Sequence, residues 1–354
     1  MKNEKLTKSL LENKNNNLWE KSPYLIAECA YSYEGKIDYL KKSIKKISEI
    51  NCVDAVKFHI LLDMNSYMCQ DHKLYKTLKE WILTPKKWQQ LIDYSKNLGL
   101  EVIILADDLG SMSFLKSVEN KLSAVEIHAC SLNDIKMLKK AARFKIPIIL
   151  GIGGSTIEEI TFAINFLKKE NKTNVILMHG FQNFPTKYEY INLKKIQKIQ
   201  KLFNLPVGYA DHTSWDNKYQ ELITSAGFLM GANIIEKHFV LEKGKTRVDY
   251  QSAISGEDFR SLYQTISVLQ KAMGSGTMEL NKYEKMYGKI GPMKKAIIAD
   301  HDIDKDEKII LKNLSFRRTN QCSQIQQKEV IDLLNRKAKN KINKNQLITF
   351  KNTY

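Results

Sequence analysis

An α/β fold of the (β/α)8 TIM-barrel type is what this sequence predicts, on three observations. Eight short, continuously apolar segments recur along the chain, as strands buried on both faces of a parallel sheet require. Helical periodicity follows each of them, at a spacing of roughly 25–35 residues. Together these units fill about 250 residues, the size of one closed barrel. A doubly wound open sheet is the competing topology, but no GxGxxG fingerprint follows any strand.

The elements can be justified in order. After a Lys- and Asn-rich lead, residues 24–30 (YLIAECA) read as the first strand. Residues 36–50 follow as a helix with Leu40, Ile44, Ile47 and Ile50 on one face. Residues 55–60 (AVKFHI) are the second strand. Thr84-Pro85 opens a helix to about residue 98, with Thr as N-cap and Pro at the first helical position. Residues 101–107 (EVIILAD) and 124–129 (AVEIHA) are strands three and four, and 147–153 (PIILGIG) the fifth. The fifth leads into a helix from Ile157, capped by Ser155 or Thr156, with Glu158 and Glu159 suiting the helix dipole. Residues 175–180 (VILMHG) are the sixth strand. The short runs 206–210 and 233–235 flank an amphipathic helix over 216–231, a strand–helix–strand unit with the usual right-handed crossover. Residues 255–273 form the closing helix.

A chain of 354 residues with 43% hydrophobic content can bury a full core, and one large plus one small domain is the natural division. The expected bounds are a polar N-terminal extension over 1–21, the barrel over 22–273, a Gly-, Lys- and Tyr-rich linker over 274–293 and a small α+β unit over 294–354. The net charge of +17 raises the question of nucleic acid. The lysines are spread over nearly every predicted helix, with no RNP, finger or helix-turn-helix pattern, so they read as a solvated surface and no nucleic-acid partner is expected. Anionic substrates remain compatible with that charge. No apolar run approaches the ~20 residues of a membrane span, and the lead has no apolar signal region. Five cysteines without CxxC spacing fit a reducing, cytoplasmic compartment.

On a barrel, chemistry gathers at the C-terminal strand ends. That rule selects Glu28, Lys57, His59, Asp107, Asp108, Glu126, His128, His179, Asp211, His212, Glu236 and His238. Charge at this density inside apolar runs is itself informative, because a buried unpaired charge is expensive. His212 and His238 fall at the same edge of neighbouring strands, where two neutral imidazoles suit a divalent metal. Period-two alternation puts Glu236 and His238 on one face with Lys237 on the other; Glu126 and His128, and Lys57 and His59, pair likewise. Lys57 and Glu236 could instead form a buried pair that only fixes the core. Asp211 either orients His212 or caps a helix.

These residues carry a resemblance. AEC-x5-G at 27–35, VKFH at 56–59, GxGGSTIEEI at 151–160, HGFQNFPT at 179–186, GYADHT at 208–213 and IEKHF at 235–239 resemble the sialic acid synthase family. The similarity runs from about Tyr24 to the C-terminus, and the part from Lys295 onward is similar to the antifreeze-like (SAF) domain of those synthases. It implies a transferase that condenses phosphoenolpyruvate (PEP) with an N-acylated amino sugar, releases phosphate and makes a nonulosonic acid. It implies His212 and His238 as ligands of a divalent metal, typically Mn2+ (Mg2+, Co2+ or Zn2+ possible), which polarises the sugar aldehyde. By the same resemblance Glu28 acts on the sugar or on a developing cationic centre, Lys57 contacts PEP, and Asp249 contacts the sugar. Arg318, with Arg317 beside it, reaches the partner's barrel in a homodimer. His59 counts among the substrate-binding residues.

Departures from the family pattern concentrate on the PEP side. Glu126 stands where the family has a second PEP lysine, and hydroxyl residues are replaced by Leu105, Ala129, Gly151 and Ala210. Gln182 and Phe184 stand for an Asn and a Tyr, and Ser32-Tyr33 for an Asn-His. Arg247, with Lys243 and Lys245, could supply a replacement anion site or be solvated loop charges. Glu126 is expected within about 4 Å of Lys57 or Arg247. Two other readings stay open: an aldolase-like or isomerising metal enzyme that does not use PEP, and a catalytically silent sugar-binding subunit.

Overall fold

The computed structural model describes residues 5–6, 22–183 and 186–354. Eight strands run parallel in chain order: β1 (Tyr24–Glu28), β2 (Ala55–Ile60), β3 (Glu101–Ala106), β4 (Ala124–Ile127), β5 (Ile148–Gly151), β6 (Val175–His179), β7 (Val207–Ala210) and β8 (Ile234–Phe239). The pairing of β1 with β8 closes the barrel. Crossover helices link them: α1 (Ile37–Ser48), α2 (Pro85–Asn97), α3 (Leu109–Ser117), α4 (Ile135–Ala141), α5 (Ile157–Lys169), α6 (Lys194–Phe203) and α7 (Gln220–Leu229), with α8 (Gly256–Met273) after β8. A short ninth strand, β9 (Ala253–Ile254), adds in parallel to the end of β8 and was not anticipated.

Alternation sorts each strand into two faces. Ile26, Ile103, Ile149, Ile176 and Ile234 fill the barrel interior, while Leu25, Val56, Ile104, Leu150 and Leu177 pack outward under the helices. The polar lead contributes to this interior, since Leu6 is fully buried in the same cluster. The rest of that expected extension, apart from Lys5, lies outside the described residues.

The caps confirm the helix starts. Thr84 accepts a hydrogen bond from the Lys87 amide at 3.3 Å, with Pro85 at the first position. Thr156, not Ser155, caps α5, in a reciprocal box with Glu159. Ser255 and Asp258 make the same box on α8. α7 starts later than expected because Asn217 is spent on a local turn, accepting from the Tyr219 amide at 2.9 Å. β8 is longer than the apolar run suggested, because Glu236 and His238 continue it while facing inward.

The chain divides into two compact units, Met1–Ser275 and Gly276–Tyr354. Part of the expected linker is structured: Lys282–Tyr287 is helical, capped by Asn281. In the second unit β10 (Ala296–Ala299) and β11 (Leu314–Arg317) pair antiparallel over a core that includes Ile297, Ile303, Ile309, Leu333, Ile342 and Ile348. The helix expected near 327–335 is reduced to a 3-10 turn and Val330–Leu333. Among the described residues no helix is long and apolar enough to cross a membrane, and the five cysteines are unbridged.

Candidate active site

A cavity of about 870 Å³ opens at the C-terminal ends of the strands. Strand register brings its polar residues together: Glu28 lies opposite Lys57 on β2 and His238 on β8. The Lys57 ammonium, 1% exposed, sits among three carboxylates. Its Nζ is 2.7 Å from Glu126 Oε2, 2.8 Å from Glu236 Oε1 and 3.0 Å from Glu28 Oε1. The expected Glu126–Lys57 pair and the expected Lys57–Glu236 pair are therefore both present.

Glu28 is the junction of the site. Its carboxylate also meets His59 Nε2 at 2.8 Å and His238 Nδ1 at 3.1 Å. Burial pushes Glu28 up, but Lys57, His238 and His59 outweigh it and hold the carboxyl well below its ordinary value. Glu236 goes the other way. Burial and the negative charges of Glu28 and Glu126 raise it and outweigh Lys57. Lys57 resists the same burial because Glu126, Glu236 and Glu28 keep its ammonium charged. His59 is raised despite burial by its bond to Glu28.

The two histidines expected to hold metal face each other, ring centres 5.1 Å apart. His212 Nδ1 lies 3.1 Å from the Ala210 carbonyl, which can only accept, so that nitrogen carries the proton and Nε2 the lone pair. Burial, then His238, pushes His212 down to about 3. Both ring nitrogens of His238 are buried without a hydrogen-bond partner; the Glu28 contact is close but off the hydrogen-bond line. Two imidazoles so placed fit a divalent ion as a pair of nitrogen donors. Among the described residues no group of three or more His, Cys, Asp or Glu is gathered for a metal, which leaves the two imidazoles as the protein donors this site offers.

Other expected residues fall into two sets. Gln182 and Asp249 line the cavity and are joined by a hydrogen bond from the Gln182 amide to Asp249. Leu105, Ala129, Gly151 and Ala210 line it too, so the lost hydroxyls do belong to its wall. Arg247 does not. It bonds Glu34 at 3.1 Å and the Ser32 carbonyl at 3.2 Å and covers the Tyr39 ring, tying its own loop to the first one. Lys243 pairs with Asp258 and Lys245 with Glu242, so these three cations assemble no anion site. Arg318 donates to the Pro292 carbonyl within the second unit. Phe184 lies outside the described residues.

The strand-end rule overreached at four positions. Asp211 bonds Tyr209, Thr213 and Thr224 and pairs with Lys237 at 3.0 Å, which rigidifies the loop after β7 and leaves His212 to the Ala210 carbonyl. His179 packs on Tyr209. Asp108 caps α3. Asp107 holds the Tyr31 hydroxyl at 2.6 Å. Residues not anticipated are Glu189, Tyr190, Asn192 and Lys195, which reach the cavity from the loop after β6 and the start of α6. Only their place after a strand end could have suggested them.

A buried Lys–carboxylate cluster and a facing imidazole pair thus sit at the mouth of a closed barrel, where enzymes of this fold build their active sites. Residues 50–278 match the NeuB family. The chain belongs to the NeuB family. It is 30% identical over 317 residues to an uncharacterized protein of Methanocaldococcus jannaschii, covering 90% of each chain. It is 28% identical over 313 residues to the N,N'-diacetyllegionaminic acid synthase of Campylobacter jejuni, covering 84% of this chain and 91% of that one. The fold is similar to that of a crystallised N-acetylneuraminic acid (sialic acid) synthetase from Leptospira borgpetersenii. The TM-score is 0.68 at 22% identity, over 75% of this chain and 90% of that one.

Proposed function

We propose that this protein is a nonulosonic acid synthase that condenses PEP with an N-acylated amino sugar and releases phosphate. The observation that carries the reading is the Glu28 carboxylate shared by Lys57, His59 and His238 beside His212, in a chain of the NeuB family. The methylene carbon of PEP forms the new bond to the sugar aldehyde carbon, and the aldehyde oxygen takes a proton. Water adds to the former enol carbon, and phosphate departs. His212 and His238 would hold a divalent ion, Mn2+ being the first candidate, which when bound supplies Lewis-acid polarisation of the aldehyde.

The chain's own groups do the rest. Ionised Glu28 faces the centre where positive charge develops and can take the proton of the adding water. His59, bonded to Glu28, is placed to give a proton to the aldehyde oxygen. Asp249 and Gln182 at the rim orient the sugar hydroxyls. Lys57 is the buried cation that an anionic donor would have to engage. The second unit serves as an SAF domain, with Arg318 completing the pocket of the partner in a homodimer.

Mass spectrometry of mixtures with PEP, Mn2+ and N-acetylmannosamine or a diacetamido-trideoxyhexose tests the proposal. The expected product has the mass of sugar plus PEP plus water less phosphoric acid. A sugar isomerised or cleaved without PEP would overturn the reading.

A further inference from the structure

We propose that Glu126 is a proton-coupled gate on Lys57: an anionic substrate group reaches the ammonium only when Glu126 takes up a proton and lets go. The inference rests on the reading of the pocket as a PEP site and names what this pocket must do to admit that anion.

Lys57 is saturated. Three carboxyl groups lie within 3.0 Å of one ammonium, so its donors are fully engaged before any substrate arrives. Among the described residues lining the cavity the only other ammonium is that of Lys195, exposed at the rim. An incoming phosphate or carboxylate must therefore displace one of the three. Glu28 keeps His59 and His238 if it loses Lys57. Glu236 lies one step deeper, opposite Ile26 and Ala210 in the strand register. Glu126 and Glu236 each bond only Lys57 among the described residues, and Glu126 is the exchangeable one because it stands at the outer level, opposite Leu105, on the side an anion enters.

The surroundings of Glu126 determine its fate once released. Glu126 lies opposite Leu105 and Ile149 in the sheet. The wall beside it is Leu105, Ala129 and Gly151, which offer no hydroxyl. A Cβ built on Gly151 would meet the Ala129 amide nitrogen at 3.0 Å and Glu126 Oε1 at an ordinary 3.5 Å, so the glycine reflects close strand packing and gives Glu126 no side-chain partner. Lys57 from β2 contacts Glu126; the other charged and titratable groups lining the same cavity are Glu28, His59, His128, Glu236, His238 and His212, with Asp249, Glu189, Tyr190 and Lys195 from the loops. A carboxylate released here would stand unpaired in an apolar wall beside the new anion, which is the situation that forces protonation. One proton moves from solvent to the Glu126 carboxylate. The Lys57 ammonium keeps its charge and changes partner, and the new carboxylic acid can donate to the anion it admitted.

Calorimetry of PEP binding to the full chain with Mn2+, in buffers of different ionisation enthalpy, tests this. Wild type should take up close to one proton per PEP at pH 8, with affinity falling roughly tenfold per pH unit between pH 7 and 9. Glu126→Gln should bind at least about tenfold tighter at pH 8, without that uptake and with a flat pH profile. As a check that needs no variant, 13C spectra of wild type should show one glutamate carboxyl becoming protonated on addition of PEP. Equal affinity and equal proton uptake in both proteins would overturn the gate, as would failure of Glu126→Gln to bind PEP together with unchanged wild-type carboxyl spectra. Wild-type turnover with no proton uptake sinks the gate and spares the synthase reading. Tighter PEP binding by Glu126→Gln, with no sugar turned over by wild type, sinks the synthase reading and spares the gate.

Discussion

A buried charge is tolerated only with partners, and Glu28, Lys57 and Asp211 show how the partner decides the role. Glu28→Gln keeps the shape but removes the charge that Lys57, His59 and His238 share. Its kcat should fall by roughly 10²–10⁴-fold with circular dichroism unchanged, and steady-state kinetics will show it. Asp211 is a structural counterpart. Burial raises it, yet Lys237, Thr213 and Thr224 outweigh burial and bring it from the ordinary 3.8 to about 2. Because the folded value lies below the unfolded one, its stabilisation is present above about pH 4 and is lost as pH falls towards 2. Asp211→Asn should cost about 3–5 kcal/mol in urea unfolding at pH 7 by stranding Lys237, and far less near pH 2. Much of this residue level was legible. His212 and His238 could be paired because both follow strands that are adjacent in any crossover unit, and the Glu126–Lys57 pair because a lone carboxylate there would be untenable. Arg247 was not legible: its Glu34 and Tyr39 partners lie on another loop, and loop closure leaves no periodicity to read. His179 and Asp211 misled for a simpler reason, since strand ends alternate faces and only half of them look inward.

At the scale of elements, strand positions could be read from apolar runs, whereas the ends could not. Several expected strands overran at their C-terminal ends, where the chain turns into the loops that carry the site, and β8 was underestimated because its functional residues are charged. Gly180 marks such an end: its φ is 140°, and a Cβ there would strike the Ala210 carbonyl at 2.1 Å, so the β6 loop needs glycine. Caps were more legible, since Thr84-Pro85 and Thr156-x-x-Glu159 are local patterns with a local cause. Thr156→Ala should remove one side of the α5 box and cost about 1 kcal/mol in thermal unfolding. PEP affinity should be unaffected if α5 acts only as scaffold.

For the whole molecule, the barrel followed from eight regularly spaced apolar runs, and the second unit from its own mixture of short strands and turns. Each unit has its own core. The proposed homodimer should appear in light scattering as twice the 41.0 kDa chain mass at micromolar concentration. Arg318→Ala should lower activity without changing that mass; a monomer, or unchanged activity in the variant, would count against an Arg318 acting in trans. The synthase reaction itself is tested by continuous phosphate release from PEP in the presence of Mn2+ and an N-acylated amino sugar. The prediction is that release requires all three components and is lost in Glu28→Gln. Turnover of the sugar with PEP omitted, or no phosphate release with any N-acylated amino sugar, would contradict it.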